Sequence, residues 1–187
     1  MGASVPTRPC IVLDMKRMNA MVEISPGALM ARVQAGIVLE ELNDALEARG
    51  LMLGHDPWSR GIATVGGAIS TNGVGYLAAK CGTMGDQVLD LQVVLPTGAL
   101  VEGKTASTAA GPRLFPLCVG GEGVFGIVTE AVLRVFPKPE ARLLRAVEFP
   151  DFAAGYGAII QMVQRGVRPS MIDYTETPNE GGRPLLA

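Results

Sequence analysis

The sequence predicts a mixed α and β fold, and three observations carry that reading. Short apolar runs are punctuated by Pro and Gly, as in a set of strands joined by tight turns. One segment, residues 38–49, repeats its apolar residues at helical spacing. Between such elements lies a stretch, residues 54–86, that packs Gly54, Gly61, Gly66, Gly67, Gly73, Gly75, Gly82 and Gly85 among Ala, Ser, Thr and Asn.

Taken in order, residues 10–14 (CIVLD) form an apolar run after Pro9 and predict a strand. Residues 20–24 and 29–34 predict a hairpin around Ser25-Pro26-Gly27, whose Pro and Gly supply the turn dihedrals. In the segment 38–49, Val38, Leu39, Leu42, Ala45 and Leu46 form a core-facing stripe. Glu40 and Glu41 suit the positive end of that helix, Arg49 suits its negative end, and Gly50 stops it. Residues 87–96 predict a mostly buried strand, and Thr97-Gly98 turns it into a partner at 99–102. A surface loop is expected at 103–111 and a short helical turn at 112–117. After a second glycine cluster, 120–126, residues 127–136 alternate as a strand with one solvated face. Pro137-Lys138-Pro139 marks the expected domain boundary, dividing 1–139 from 140–187. Beyond it come a strand at 143–149, a helix at 152–164 capped by Asp151 and stopped by Gly166, a strand beginning at 170–174, and a frayed tail from 177 to 187.

Composition narrows the function. The 187 residues are 48% hydrophobic with a net charge of −2, which suits a packed core and gives no electrostatic case for nucleic acid. No apolar run is long enough for a membrane span, and the N-terminus lacks the pattern of a secretory signal, so a cytoplasmic location is expected. Three scattered cysteines and a single histidine give no metal-ligand spacing, so no metal is expected.

The glycine-rich stretch has two readings of equal weight. Gly brings a large backbone-entropy cost, so its density needs a reason. One reason is close approach of backbone N–H groups to a flat or phosphate-bearing ligand, with Thr64, Ser70, Thr71 and Asn72 adding short polar groups. The other is tight packing between two elements of the chain itself.

Motif order adds a resemblance. HDPWS, ATVGGAISTNGVGY, KCGTMGD, VLDLQVVLPTG and VGGEGVFGIVTEAVLRVFPKPE follow one another as in the FAD-linked oxidase family, with its vanillyl-alcohol-oxidase (PCMH) type of flavin domain. The sequence is most similar there to glycolate oxidase flavoprotein subunits, D-lactate dehydrogenases and alkyldihydroxyacetonephosphate synthases. The resemblance implies an α+β fold: the second subdomain of the FAD-binding domain, an antiparallel sheet with flanking helices, followed by the start of an α+β cap domain.

It also implies FAD as cofactor and a contact set of Pro57, Trp58, Ser59, Thr64, Gly66, Gly67, Thr71, Asn72, Gly73, Glu122, Gly123, Gly126, Ile127 and Val128. The substrate implied is a small 2-hydroxy acid, oxidised to the 2-oxo acid with electrons passed to a further acceptor. Alternatives are an alkyl-glycerone-phosphate synthase chemistry and a non-catalytic flavin-binding module. The family's upstream pyrophosphate loop and most of its cap have no counterpart here, so the chain reads as a fragment, inactive alone, with no catalytic residue assigned.

Single residues have blander roles beside these. His55, beside the flavin-loop segment, is expected to be a loop histidine bonded to backbone ahead of a catalytic group, Asp56 and Asp86 turn caps ahead of a base, and Lys80 solvated ahead of meeting a phosphate or carboxylate. Trp58 is expected to stack on a ring or pack half-exposed, and Glu122 to touch a ribose or cap the following backbone. Cys10 and Cys118, in apolar runs, are expected to be inert core thiols.

Overall fold

The computed structural model describes residues 6–103, 115–176 and 184–186. A hairpin opens the fold, with β1 (Met21–Ser25) and β2 (Met30–Gln34) paired antiparallel across the expected turn. Then come α1 (Leu39–Glu47), β3 (Leu51–Leu53) and three short helices, α2 (Val65–Ser70), α3 (Ala78–Cys81) and α4 (Met84–Gln87). The hairpin β4 (Val88–Val94) and β5 (Leu100–Glu102) turns at Gly98, whose φ is +82°. A 3-10 turn at Phe115–Leu117 leads toward the long β6 (Ile127–Pro137).

These strands form one six-stranded antiparallel sheet in the order β1-β2-β6-β4-β5, with β3 paired to the far end of β6. Register places Val33 opposite Ala131 and Leu91 opposite the same Ala131, so one face of the sheet is wholly apolar. Against it pack the buried side chains of α1 (Leu39, Leu42, Leu46), of α2 (Val65, Ile69) and Met84 of α4. Each fully buried aliphatic side chain contributes roughly 1.5–3 kcal/mol. The opposite face is polar: Arg32 pairs with Glu130 at 2.6 Å, which holds its guanidinium pKa above the ordinary value, and Thr129 donates to the Gln92 side chain at 2.7 Å.

A second, three-stranded antiparallel sheet is built wholly from residues after Pro139: β7 (Val147–Glu148), β9 (Pro184–Leu186) and β8 (Tyr174–Glu176), in that order. With it goes α5 (Phe152–Gln164), whose N-cap Asp151 accepts the Ala154 N–H at 2.8 Å. Tyr174 donates its hydroxyl to the Phe152 carbonyl at 2.6 Å and lies 4.8 Å from that ring.

Several sequence expectations need correction. Residues 10–14 form no strand; Ile11 is 97% exposed, and Cys10 is exposed rather than a core thiol. The run has strand composition but no partner strand among the described residues. A helix, α2, does form inside the glycine-rich stretch. It is held from outside itself: Thr64 accepts the Gly67 N–H at 3.2 Å, and the Gly66 and Val65 N–H groups donate to Ala35 and Ile37 carbonyls at 2.7 and 3.0 Å. β6 lacks a regular solvated face because it is central, flanked by β2 and β4 and crossed at its end by β3. The strand expected at 143–149 shrinks to two residues, with Leu143 and Leu144 exposed. The tail is not frayed throughout, since β9 pairs with two neighbours. The expected loop at 103–111 lies outside the described residues except for Gly103, which donates its N–H to the Leu91 carbonyl.

Candidate functional site

The two glycine clusters, some fifty positions apart in sequence, are stitched together by backbone. Gly120 donates its N–H to the Ile69 carbonyl at 3.0 Å, and Glu122 donates to Ser70 at 2.9 Å. The end of α2 and the segment before β6 therefore form one surface. Its turns use left-handed backbone at Asn72 (φ +47°), Glu122 (φ +48°) and Gly123 (φ +82°). The Asn72 side chain accepts the Gly85 N–H at 2.9 Å, so it supports the turn rather than standing free.

The glycines divide by what lies beside them. A carbon added to Gly66 would sit 2.8 Å from Cβ of Ala35, one on Gly75 2.6 Å from the Asp56 nitrogen, and one on Gly126 2.6 Å from Val93. Those positions serve packing within the chain. At Gly123 nothing lies within 4 Å, and Gly67 meets only the Thr64 hydroxyl, at 3.2 Å. Both readings of the stretch are therefore realised, at different residues.

The sequence-derived contact set separates in the same way. Gly67, Thr71, Glu122, Gly123, Ile127 and Trp58 are exposed; Pro57, Ser59, Thr64, Gly66, Asn72 and Gly73 are half-buried; Gly126 and Val128 are buried, Val128 in the core. Thr71 donates its hydroxyl to the Gly67 carbonyl at 3.0 Å, closing the end of α2. Pro57–Ala63 forms a tight loop anchored to α1, with Leu39 N–H on the Ala63 carbonyl at 2.9 Å and Arg60 paired to Glu40 and Asp56.

The segments carried over by resemblance include apolar side chains, outside the residue-by-residue contact set, that the structure leaves exposed. Ile62 is 75% exposed, Val124 73% and Val74 69%. Large aliphatics projecting from glycine-rich turns were the available signal, since turn chemistry does not call for them.

The charged and sulfur groups nearby are accounted for locally. Asp86 accepts the Thr83 N–H at 2.7 Å and its hydroxyl at 2.8 Å, which holds the carboxyl below its ordinary pKa and makes it the expected cap. Lys80 is exposed. Cys118 is half-buried, and burial pushes its thiol up, away from reactivity. His55 departs from expectation: it is 4% exposed, its Nδ1 has no hydrogen-bond partner among the described residues, and burial lowers its pKa. Among the described residues no helix is long and apolar enough to cross a membrane.

Comparison with known proteins agrees with the motif order. A family model described as an FAD binding domain matches residues 1–104. The glycolate oxidase subunit GlcD of Bacillus subtilis is 35% identical over 95% of this chain and 38% of its own length. The D-lactate dehydrogenase of Archaeoglobus fulgidus is 34% identical over 94% of this chain and 39% of its own. A solved alkyldihydroxyacetonephosphate synthase superposes with a TM-score of 0.78 at 35% identity, over 85% of this chain and 29% of that one. The chain thus spans less than two fifths of the length of these relatives.

Proposed function

This chain belongs to the FAD binding domain family, with FAD as its cofactor, and from that premise we propose that it supplies one wall of the flavin site in an oxidoreductase acting on a small 2-hydroxy acid. The observation that carries the reading is the joined surface of the two glycine clusters, tied by the bonds from Gly120 to Ile69 and from Glu122 to Ser70. The residues present fit the group. Gly123 leaves open space where a side chain would stand, and exposed Trp58, Ile62 and Val124 offer apolar cover for a planar ring.

In this proposal the open backbone at Gly67 and Gly123 admits the cofactor, while Gly66, Gly73 and Gly126, packed against the chain itself, hold those turns in place. Ser59, Thr64, Thr71, Asn72 and Glu122 supply polar groups for its ribityl, ribose and phosphate oxygens, and Pro57, Trp58, Ile127 and Val128 form the apolar surround. Of these, Val128 acts through position only, because it is already packed into the core. When bound, FAD supplies the two-electron oxidation; the chain holds and orients it and keeps water from one side. The division at residue 139, with a substrate-covering domain following, is part of the same proposal. It is supported by the separate sheet formed after Pro139.

The 2-hydroxy acid is proposed because two of the relatives are a glycolate oxidase subunit and a D-lactate dehydrogenase. A second reading, synthase chemistry without net oxidation, is supported by the likeness to the alkyldihydroxyacetonephosphate synthases. The test is anaerobic mixing of the flavin-loaded protein, at the full length its gene encodes, with glycolate, D-lactate and D-2-hydroxyglutarate. Bleaching of the flavin by one of them is the expected result. A flavin that stays oxidised with all three overturns the 2-hydroxy acid reading.

A further inference from the structure

We propose that His55 is a positioning residue for the flavin face: its imidazole stands behind Gly73 and fixes the Thr71-Asn72-Gly73 turn from the protein side. The proposal rests on the flavin-face reading above. The ring follows β3 into the interior and is 4% exposed. A carbon added to Gly73 would lie 3.0 Å from its Cε1 and 3.1 Å from its Nε2, so the glycine leans directly on the ring. On its other sides Gly73 is clamped by backbone, donating to the Ala68 carbonyl at 2.9 Å and accepting the Met84 N–H at 2.9 Å. The neighbouring Asp56 holds the outgoing chain, accepting the Tyr76 N–H at 3.0 Å. A shift of the imidazole is thereby passed to the turn, with little slack to absorb it.

Its buried Nδ1 has no hydrogen-bond partner among the described residues, an exception to the usual pairing of buried polar atoms. The charged groups lining the cleft beside the ring are Glu47, Asp56, Arg60 and Arg142. The carboxylates there are engaged elsewhere: Glu47 with Lys138 and Asn43, Asp56 with Arg60. Asp56 raises the imidazole pKa, but burial outweighs it and the net direction is down. The seated ring is therefore neutral, and protonation drives it out of its slot. The sign follows from linkage. The folded, flavin-ready state binds fewer protons than the unfolded chain, so its stability is full above the ordinary imidazole pKa of about 6.5 and is lost as pH falls from there toward the folded value. Where acid displaces the ring in the flavin-free folded protein, flavin affinity falls with it.

The experiment measures FAD affinity by flavin fluorescence between pH 7.5 and 5, with thermal melts alongside, on the full-length protein stripped of flavin and reloaded. The unmodified protein is expected to bind FAD progressively more weakly as the pH is lowered across this range, the direction set by burial of the imidazole. His55→Phe, which fills the slot without titrating, is expected to keep its neutral-pH affinity and lose the acid response. His55→Ala is expected to weaken binding about tenfold at neutral pH. A His55→Phe protein that releases FAD along the unmodified curve overturns the proposal, and its profile decides the matter if the Ala variant does not fold. An unmodified protein that takes up no FAD at pH 7.5 instead overturns the flavin-face reading on which the proposal rests.

Discussion

Gly66 and Gly67 are neighbours in one helix, yet they serve opposite sides of the molecule. Gly66 presses α2 onto Ala35 at the exit of β2, while Gly67 is exposed. The contrast repeats between Gly126, buried against β4, and Gly123, which has open space beside it. Inward glycines bring the second layer of the fold close enough for the chain's own backbone to pair. Outward glycines leave a surface on which another molecule's atoms can approach. A dense glycine cluster is thus two devices interleaved residue by residue, and its sequence does not tell them apart.

The contrast breaks most visibly at an inward position. Gly75→Ala would place a carbon 2.6 Å from the rigid Asp56 nitrogen. The expected cost is roughly 1–3 kcal/mol of stability. Denaturant and thermal unfolding would read it, at about 2–4 °C per kcal/mol for a chain of this size. An unchanged melting temperature would mean that the segment carrying Gly75 is not packed on Asp56.

Outward positions call for a different probe. Gly123 sits at φ +82°, so any side chain there adds backbone strain, and an added carbon at Gly67 crowds the Thr64 cap. Exposed Val124 avoids both problems. Val124→Asp is expected to leave the melting temperature within the error of the measurement and to weaken FAD about tenfold, or ~1.4 kcal/mol. Isothermal titration of the stripped protein would check it; full affinity would place the flavin away from this surface.

What was legible in the sequence follows the range of the interactions involved. The turn at Ser25-Pro26-Gly27, the stripe of Leu39, Leu42 and Leu46, the Asp151 cap and the stop at Gly166 are set by residues a few positions apart, and each stands as expected. The misreadings are non-local. Ile11, Val12 and Leu13 look like a strand, but strand formation depends on a partner elsewhere. Helix α2 is disguised by its glycines because its support comes from Thr64, Ala35 and Ile37. In the site, motif order placed the segments, and the contacts around each residue decided its direction. The neutral burial of His55 behind Gly73 had no signal in a sequence where it reads as one polar residue in a loop.

The central claim is that the joined glycine clusters form the face that meets FAD, and hydrogen exchange tests it most directly. The full-length protein, stripped of flavin, is compared with and without added FAD. The account predicts new protection in peptides covering residues 57–74 and 120–128, with little change in the β2 and β5 strands of the polar sheet face. Protection confined to those strands, with the two glycine clusters exchanging as before, would contradict it.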